Sequence, residues 1–328
     1  MLKDKSALGQ TGLEVSPLCL GCGSYGGSMK EPLAVEMMDY YYELGGRFLD
    51  TAVIYCDWFE GERSSSQNII GRWMQARKNR KELVLSVKGC NGKIITPTND
   101  LATAPRTDTR LHRADIIEDI EVSMKNLRTD YLDLMLLHQP FGDTYGAWRA
   151  LEELYREGKL RAIGISNHYA DRMVEFANFT SIKPMVNQME THPLNQQKTL
   201  KEWADKYDIR LEAWAPFGEG RNGLFENEVL KAIGQKYGKS TAQVMLRWHI
   251  QRGVIVIPKS VHKERMIENL NVFDFRLDEN DMSQISQLDT ATSAFFSHQD
   301  PAAMVEWFVK MVEKRKSQHD SSKEKKNW

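Results

Sequence analysis

The segment LVLSVK, residues 83–88, is a nearly continuous apolar run that ends in a lysine. Runs of this kind are typical of parallel strands that are buried on both faces. Seven similar runs alternate with amphipathic segments of helical period along the chain. They are PLCLG (17–21), RFLDTA (47–52), DLMLLH (133–138), AIGIS (162–166), PMVNQ (184–188), RLEAW (210–214) and VIVIP (254–258). This alternation predicts a (β/α)8 TIM barrel.

The chain has 328 residues and no Pro/Ser-rich linker, so a single domain is the simpler interpretation and a doubly wound two-domain fold is the alternative. A small hairpin around LGQTGLEVS, with Gly12 in its turn, precedes the first strand. A long loop follows strand 3, at residues 89–113. We predict a barrel domain over residues 1–312 and a charged, flexible C-terminal tail over residues 313–328.

The composition narrows the class of protein. The chain is 41% hydrophobic and 27% charged, with a formal net charge of −1, so no strong field attracts it to nucleic acid or to a membrane surface. No apolar run approaches the ~20 residues of a membrane span, and the N-terminus has no apolar signal region. Four cysteines in this length favour a cytoplasmic setting without disulfides. We expect a monomer or small homo-oligomer.

Polar residues lie where the predicted strands end, which is where TIM barrels place their active sites. Lys88 ends the third run, and Asp50 lies near the end of the second. A lysine that caps a buried strand needs an acidic partner, and Asp50 on the neighbouring strand is the candidate. Such a pair is by itself equally compatible with a purely structural role.

Tyr55 and His138 make a catalytic role the better interpretation. A phenol with a pKa of ~10 is a poor acid near neutrality, and an adjacent ammonium lowers that pKa. We therefore expect Lys88 to lower the pKa of Tyr55. His138 ends strand 4 and is placed to donate a hydrogen bond to a bound carbonyl, although a core histidine bonded to backbone is the simpler interpretation of this residue taken alone. The four residues together predict proton transfer to a carbonyl oxygen.

Two motifs in LCLGCGSYGG, residues 18–27, do not fit their usual functions. A G-x-G-x-x-G dinucleotide turn opens a helix directly after a strand, whereas here SMKEP intervenes before any helical pattern. A redox C-x-x-C begins a helix, whereas Cys19 and Cys22 fall in and just past a strand. No histidine or second C-x-x-C completes a metal-binding set, so we expect no metal site.

Several motifs in combination resemble the aldo-keto reductase superfamily over roughly residues 6–300. They are RFLDTAVIY (47–55), LSVKG (85–89), LLHQP (136–140), GISN (164–167), VNQMETHPLNQ (186–196), AWAPFG (213–218) and VIPKSVHKERMIENLNVFDFRL (256–277). The resemblance implies a (β/α)8 barrel that reduces an aldehyde or ketone to an alcohol. It also implies a catalytic tetrad in which Tyr55 is the general acid, Lys88 polarises it, Asp50 pairs with Lys88 and His138 orients the carbonyl.

Hydride transfer requires a nicotinamide, because protein side chains cannot supply hydride. A helix after strand 8, with Ser260 as its N-cap, provides an anion site, and its two cations favour NADPH over NADH. The resemblance assigns Lys259, Ser260 and Arg265 to the 2′-phosphate and Glu268 and Asn269 to adenine. The resemblance also implies that Trp214, where the family most often has tyrosine, stacks on the nicotinamide, and that Ser166, Asn167 and Gln188 bind its carboxamide. The remaining predicted cofactor contacts are Gly23, Ser24, Tyr25, Asp50, Ala215, Pro216, Phe217 and Val261.

The expected substrate is a small aldehyde or ketone, with sugar-derived carbonyls among the candidates. The predicted substrate contacts are Tyr25, Trp58, Phe59, His138 and Phe141, with Phe295 and Phe296 as further candidates. Two alternatives remain open from the sequence. Lys88 could form a Schiff base in an aldolase-type barrel, or the chain could be an NADP-bound regulatory subunit with little turnover.

Overall fold

The computed structural model describes residues 5–9, 11–56, 59, 62–89 and 113–306, and eight parallel strands of one sheet lie where the apolar runs predict them. Two short strands of a separate hairpin precede them. The strands are β1 Ser6–Ala7, β2 Glu14–Val15, β3 Leu20–Gly21, β4 Phe48–Ala52, β5 Val84–Gly89, β6 Leu134–Leu137, β7 Ile163–Ser166, β8 Val186–Glu190, β9 Arg210–Trp214 and β10 Ile255–Val256.

The sheet closes on itself. From β3 to β10, strands that are neighbours in the chain are neighbours in the sheet. Leu18 forms a parallel bridge with Val256, the Cys19 amide donates to the Val256 carbonyl at 2.8 Å, and the Val256 amide donates to the Pro17 carbonyl at 2.9 Å. These bonds join the first barrel strand to the last, which confirms the predicted (β/α)8 barrel.

Helices pack outside the strands and cover their outer apolar faces. Their bounds are α1 Glu31–Glu43, α2 Ser65–Arg77, α3 Arg113–Leu127, α4 Thr144–Arg156, α5 Ala170–Phe179, α6 Lys198–Lys206, α7 Glu228–Tyr237, α8 Thr241–Gln251, α9 Lys263–Leu270 and α10 Glu279–Ser286. Short 3-10 segments cover Arg80–Glu82 and Gly218–Glu226. Local capping residues fix where several helices begin. Ser240 and Gln243 form a capping box at the start of α8, and the Asn227 side chain accepts a hydrogen bond from the Leu230 amide at the start of α7.

The N-terminal hairpin lies against the end of the barrel opposite the predicted site. β1 and β2 are antiparallel, and Gly12 has a φ of +71° in the turn between them. Leu8 and Leu13 are buried. Arg210, at the start of β9, donates to the Ala7 carbonyl at 3.4 Å, so the hairpin contacts the amino ends of the strands.

Three predicted features lie wholly or partly outside the described residues. β5 ends at Gly89 and α3 begins at Arg113, so residues 90–112 of the predicted loop are not described. The predicted tail over residues 313–328 and the substrate contact Trp58 also lie outside the described part of the chain.

The packing of α2 on α3 generates a stability prediction. A Cβ added to Gly71 would overlap the carbonyl oxygen of Asn126. We expect Gly71→Ala to lower the free energy of unfolding by about 1–3 kcal/mol, because overpacking outweighs the better helix propensity of alanine. Urea unfolding followed by circular dichroism measures the loss. Ala76→Ser, at an exposed position of the same helix, should shift the midpoint little, and an equal shift in both variants would contradict this account.

Candidate active site

A buried ion pair lies inside the barrel near the carboxyl ends of the strands, here called the mouth. Lys88 on β5 donates from Nζ to Oδ1 of Asp50 on the neighbouring β4. The other carboxylate oxygen of Asp50 accepts from Ser86 Oγ at 3.1 Å and from Gln188 Nε2 at 3.0 Å. Asp50 and Lys88 are both almost fully buried. The structure therefore brings together the pair that the sequence predicts, and it adds two neutral donors.

Lys88 stays charged in this environment. Burial alone would lower the pKa of its ammonium, but the charge and hydrogen bond of Asp50, together with Tyr55, raise the pKa above its ordinary value. A Schiff-base lysine must be neutral to attack a carbonyl. The pairing with Asp50 therefore opposes the aldolase-type alternative.

Tyr55 follows β4 and reaches the same cluster. The Lys88 Nζ lies 5.1 Å from the centroid of the Tyr55 ring. The pKa of the phenol is raised, because desolvation by burial outweighs the lowering by Lys88, so the expectation of a net decrease is wrong. Tyr55 consequently keeps its proton at neutral pH, which suits a group that donates a proton.

His138 follows β6 and faces Tyr55. Their rings meet edge to face, with centroids 6.2 Å apart and an interplanar angle of 85°. Burial first, and then the positive charge of Lys88, lower the pKa of His138 to about 3. The imidazole is therefore neutral and carries one ring N–H.

Asn167 joins three strand ends of the mouth. Its backbone φ is +62°, a left-handed conformation that asparagine tolerates. Its Nδ2 donates to the His138 carbonyl at 2.9 Å, and its Oδ1 accepts from Trp214 Nε1 at 3.0 Å. Ser166 Oγ donates to the Gln188 carbonyl at 2.8 Å, which leaves that hydroxyl as an acceptor for a ligand.

Gln188 on β8 has its side chain orientated by two carboxyl groups. Its Nε2 donates to Asp50 Oδ2 at 3.0 Å and to Glu212 Oε2 at 2.9 Å. Both amide hydrogens are thereby used, so the amide oxygen is the atom available to accept a further bond. That orientation fits the NH2 of a nicotinamide carboxamide.

A cavity of about 350 Å³ lies beside the mouth, next to the carboxyl ends of β9 and β10. The exposed cations Lys259 and Arg265 line it, as does the amino end of α8. Two cations and a helix N-terminus suit a phosphate group. The full lining is Phe217, Phe225, Ser240, Thr241, Ala242, Lys259, Arg265, Glu268 and Asn269.

The remaining predicted contacts are placed less uniformly. Ser260 is not the N-cap of α9, because that helix begins at Lys263 after His262, and Ser260 Oγ instead accepts from the His262 amide at 3.0 Å. Tyr25 is buried, whereas Phe59 is 45% exposed. Other predicted contacts lie close to the mouth without forming one surface. A Cβ added to Gly23 would lie 3.4 Å from the Tyr55 ring, and Ser24 follows Gly23 in the chain. Ala215 and Pro216 follow β9, Val261 packs against the core, and Phe141 stacks on His298 with centroids 5.7 Å apart.

Three residues at or near the mouth are absent from the sequence prediction. Glu212 lies two residues before Trp214 on β9 and therefore points into the barrel, a position that strand alternation could have found. Gln139 and His298 are hydrogen-bonded to each other at 2.8 Å, although 159 residues separate them in the chain. No local sequence signal predicts that contact.

Comparison with known proteins agrees with this geometry. The family model described as "Aldo/keto reductase family" matches residues 17–290. Methylglyoxal reductase DkgA of Escherichia coli is 35% identical over 273 residues, which are 82% of this chain and 89% of that protein. Glyoxal reductase of Bacillus subtilis is 49% identical over 170 residues, which are 52% of this chain and 61% of that protein. The structure of a silkworm (Bombyx mori) aldo-keto reductase complexed with NADPH aligns with a TM-score of 0.75 at 26% identity, over 89% of each chain.

The chain belongs to the aldo/keto reductase family. It is an oxidoreductase that uses NADP(H) and reduces the carbonyl group of an aldehyde or ketone to an alcohol. The alternative of a regulatory subunit with little turnover is not favoured, because the relatives are named reductases.

The described residues contain neither a helix that could cross a membrane nor a group of side chains arranged to bind a metal ion. No helix in that part of the chain is both long and apolar enough to cross a membrane. No group of three or more His, Cys, Asp or Glu side chains within the same ranges is arranged to hold a metal ion.

The cavity generates a prediction on cofactor selectivity. Lys259→Ala and Arg265→Ala should each raise the dissociation constant of NADPH by about tenfold, because each removes one cation from the cavity that is expected to hold the 2′-phosphate. NADH, which lacks that phosphate, should be little affected. Quenching of tryptophan fluorescence measures both constants. Lys263→Ala is the matched control. Lys263 lies on the same helix as Arg265, pairs with Glu36 at 2.6 Å and does not line the cavity. An equal loss for NADPH and NADH would contradict the assignment.

Proposed function

We propose that Tyr55 protonates the carbonyl oxygen of a small α-oxo-aldehyde. Lys88 and Asp50 set the acidity of the Tyr55 phenol, and His138 sets the position of the substrate. The observation that supports this most directly is the position of Tyr55, with a buried ammonium 5.1 Å from its ring centroid and a neutral imidazole edge-on to it. Bound NADPH supplies the hydride.

The charges of the site favour reduction near neutral pH. Tyr55 holds its proton until a carbonyl oxygen gains negative charge, and the ammonium of Lys88 then stabilises the phenolate that remains. Asp50 maintains the positive charge of Lys88. The single ring N–H of His138 donates to the same carbonyl oxygen and orients it, because the imidazole stays neutral.

The predicted cofactor contacts divide between the two ends of the nucleotide. Lys259 and Arg265 bind the 2′-phosphate, and Glu268 and Asn269 contact the adenine in the same cavity. Ser166, Asn167 and Gln188 bind the carboxamide, and Trp214 stacks on the nicotinamide ring. The two cations favour NADPH over NADH.

Two independent features support an α-oxo-aldehyde as the substrate. The relatives described above are named for glyoxal and methylglyoxal. In this chain a second polar pair lies beside His138, since His298 hydrogen-bonds to Gln139 at 2.8 Å and contributes to the low pKa of His138. Burial lowers the pKa of His298 to about 4, so it too is neutral, and its single N–H donates to Gln139 Oε1. The Gln139 NH2 is then the group of this pair that donates to the second oxygen of a dicarbonyl.

We also propose that the protein works in the cytoplasm as a monomer or small homo-oligomer. Cys19 and Cys22 are free thiols, which suits a reducing compartment.

Removal of the Tyr55 hydroxyl tests the catalytic assignment. Tyr55→Phe should lower kcat for methylglyoxal by about 10²–10⁴-fold, because the general acid is lost, while the dissociation constant of NADPH stays nearly unchanged. Steady-state oxidation of NADPH and fluorescence titration measure the two quantities. Tyr42→Phe, which removes a hydroxyl bonded to Glu82 on the outer surface, should retain activity. Full activity of Tyr55→Phe would sink the assignment.

Comparison of methylglyoxal with propanal, which has the same carbon chain and one carbonyl, tests the substrate class. We expect kcat/KM to be higher for methylglyoxal. Gln139→Leu should reduce that preference by about tenfold through loss of one hydrogen bond, and His298→Leu should reduce it by releasing the Gln139 amide from its position. Gln299→Leu, at the exposed neighbouring position, is the control. If all variants keep the wild-type ratio, the polar pair does not recognise the second carbonyl.

A further inference from the structure

Glu212 is a buried carboxyl group that the reduction step described above does not use. It lies on β9 two residues before Trp214, so both side chains point to the inside of the barrel, with Glu212 one layer below the mouth. In register it lies opposite Gln188 on β8 and Ile255 on β10. Its exposed fraction is 0%.

One amide group connects Glu212 to the catalytic cluster. Gln188 Nε2 donates at 2.9 Å to Glu212 Oε2 and at 3.0 Å to Asp50 Oδ2. The other oxygen of Glu212, Oε1, is buried and has no hydrogen-bond partner among the described residues. Asp50 and Glu212 thus share the NH2 of Gln188, while the ammonium of Lys88 bonds to Asp50.

The ammonium of Lys88 forms its ion pair with Asp50, to which it is directly hydrogen-bonded. An ionised Glu212 would therefore be an excess negative charge in a dry interior, which is costly. Burial raises the pKa of Glu212 to about 7. The negative charge of Asp50 adds to this increase, whereas the hydrogen bond from Gln188 and the positive charge of Lys88 oppose it.

The other titratable groups around Glu212 keep one charge state near neutral pH. Cys19, which precedes β3, has a pKa raised well above its ordinary value by burial and by the charges of Asp50 and Glu212. Tyr55 stays protonated and Lys88 stays charged. The β10 side is apolar, with Ile255 in register. Glu212 is therefore the group of this cluster whose charge changes in the physiological range.

We propose that Glu212 compensates the charge of the nicotinamide ring, by keeping its proton when reduced cofactor is bound and releasing it to solvent when oxidised cofactor is bound. The proposal rests on the nicotinamide site assigned to Gln188 and Trp214. The oxidised ring carries one positive charge that the reduced ring lacks, and at short range in a low-dielectric interior a positive charge favours an ionised carboxylate. The balance is simple: protonated enzyme plus NADP+ gives the carboxylate complex plus one proton.

The sign of the pH dependence follows. Below its pKa, Glu212 must lose a proton before it can compensate the positive charge of the oxidised ring, and this cost weakens the binding of NADP+. Above its pKa the carboxylate is already present, so NADP+ binds without that cost. The affinity for NADP+ should therefore rise with pH relative to that for NADPH, by about tenfold for each unit by which NADP+ lowers the pKa. The 2′-phosphate titrates in both nucleotides, so the ratio of the two dissociation constants removes its contribution.

The first experiment uses the wild-type protein. Fluorescence titrations with NADP+ and with NADPH at about pH 6 and about pH 8 should give a ratio of dissociation constants that changes several-fold towards NADP+ at the higher pH. Calorimetry in two buffers of different ionisation enthalpy should detect more proton release for NADP+ than for NADPH. Equal proton release and a constant ratio would overturn the proposal even if no variant can be purified.

Glu212→Gln provides the matched test. The glutamine oxygen still accepts from Gln188 Nε2, but the side chain cannot ionise. We expect the ratio to lose its pH dependence and NADP+ to bind more weakly at about pH 8, with NADPH nearly unchanged. Glu152→Gln, at a buried carboxyl of α4 outside the barrel, should keep the wild-type pH dependence.

The outcomes separate this proposal from the assignments on which it rests. If both nucleotides bind and Tyr55→Phe is inactive, but the ratio is independent of pH, the role of Glu212 is wrong and the catalytic assignment stands. If neither nucleotide binds, the nicotinamide site is wrong and the proposal fails with it. If Glu212→Gln keeps the wild-type pH dependence, another group titrates and Glu212 does not compensate the ring.

Discussion

The ion pair between Lys88 and Asp50 determines the electrostatics of the whole mouth. Two charges are taken out of water inside a closed barrel, and their mutual attraction offsets that desolvation only because further hydrogen bonds complete the pair. Ser86 and Gln188 supply those bonds to the second oxygen of Asp50. The result is an ion pair whose ammonium stays protonated under the mouth, and that ammonium modifies the pKa shifts that burial causes in the groups around it.

The same charge acts differently on its two neighbours. It helps to keep His138 neutral, since a second positive charge nearby is unfavourable, and it opposes the rise in the pKa of Tyr55 that burial causes. Burial wins at Tyr55 in the described structure, so the phenol holds its proton. A neutral imidazole and a protonated phenol therefore lie next to each other in the mouth, and each carries one hydrogen-bond donor.

The C-terminal segment at residues 293–298 covers one side of the mouth through contacts with the ends of β8 and β9 and with the 3-10 segment Gly218–Glu226. Ser293 Oγ donates to Glu190 at 2.5 Å, and Arg221 lies 4.2 Å over the ring of Phe295. Phe295 packs against Trp214 with ring centroids 5.1 Å apart. Because Arg221 belongs to the same 3-10 segment as Phe225, which lines the cavity with Lys259 and Arg265, this wall connects that cavity with the mouth.

The sequence by itself determined the barrel and the order of its strands, because buried parallel strands read as apolar runs. It predicted the catalytic set from polar residues that lie in or just after such runs. The family motifs extended that reading to the cofactor. The sequence also led to two errors, the net pKa shift of Tyr55 and the N-cap role of Ser260. A pKa depends on how deeply a group is buried, and a helix start depends on loop geometry, and neither quantity is local in sequence.

Only the tertiary structure decided which polar groups share one environment. Gln188 joins Asp50 to Glu212 because closure of the sheet brings β4, β8 and β9 around one interior, and 138 residues separate Gln188 from Asp50 in the chain. The contact of Gln139 with His298 arises in the same way, from a segment that returns to the mouth after the last strand. Alternation along a strand says that Glu212 points inward, but only the closed barrel shows that its second oxygen finds no partner among the described residues.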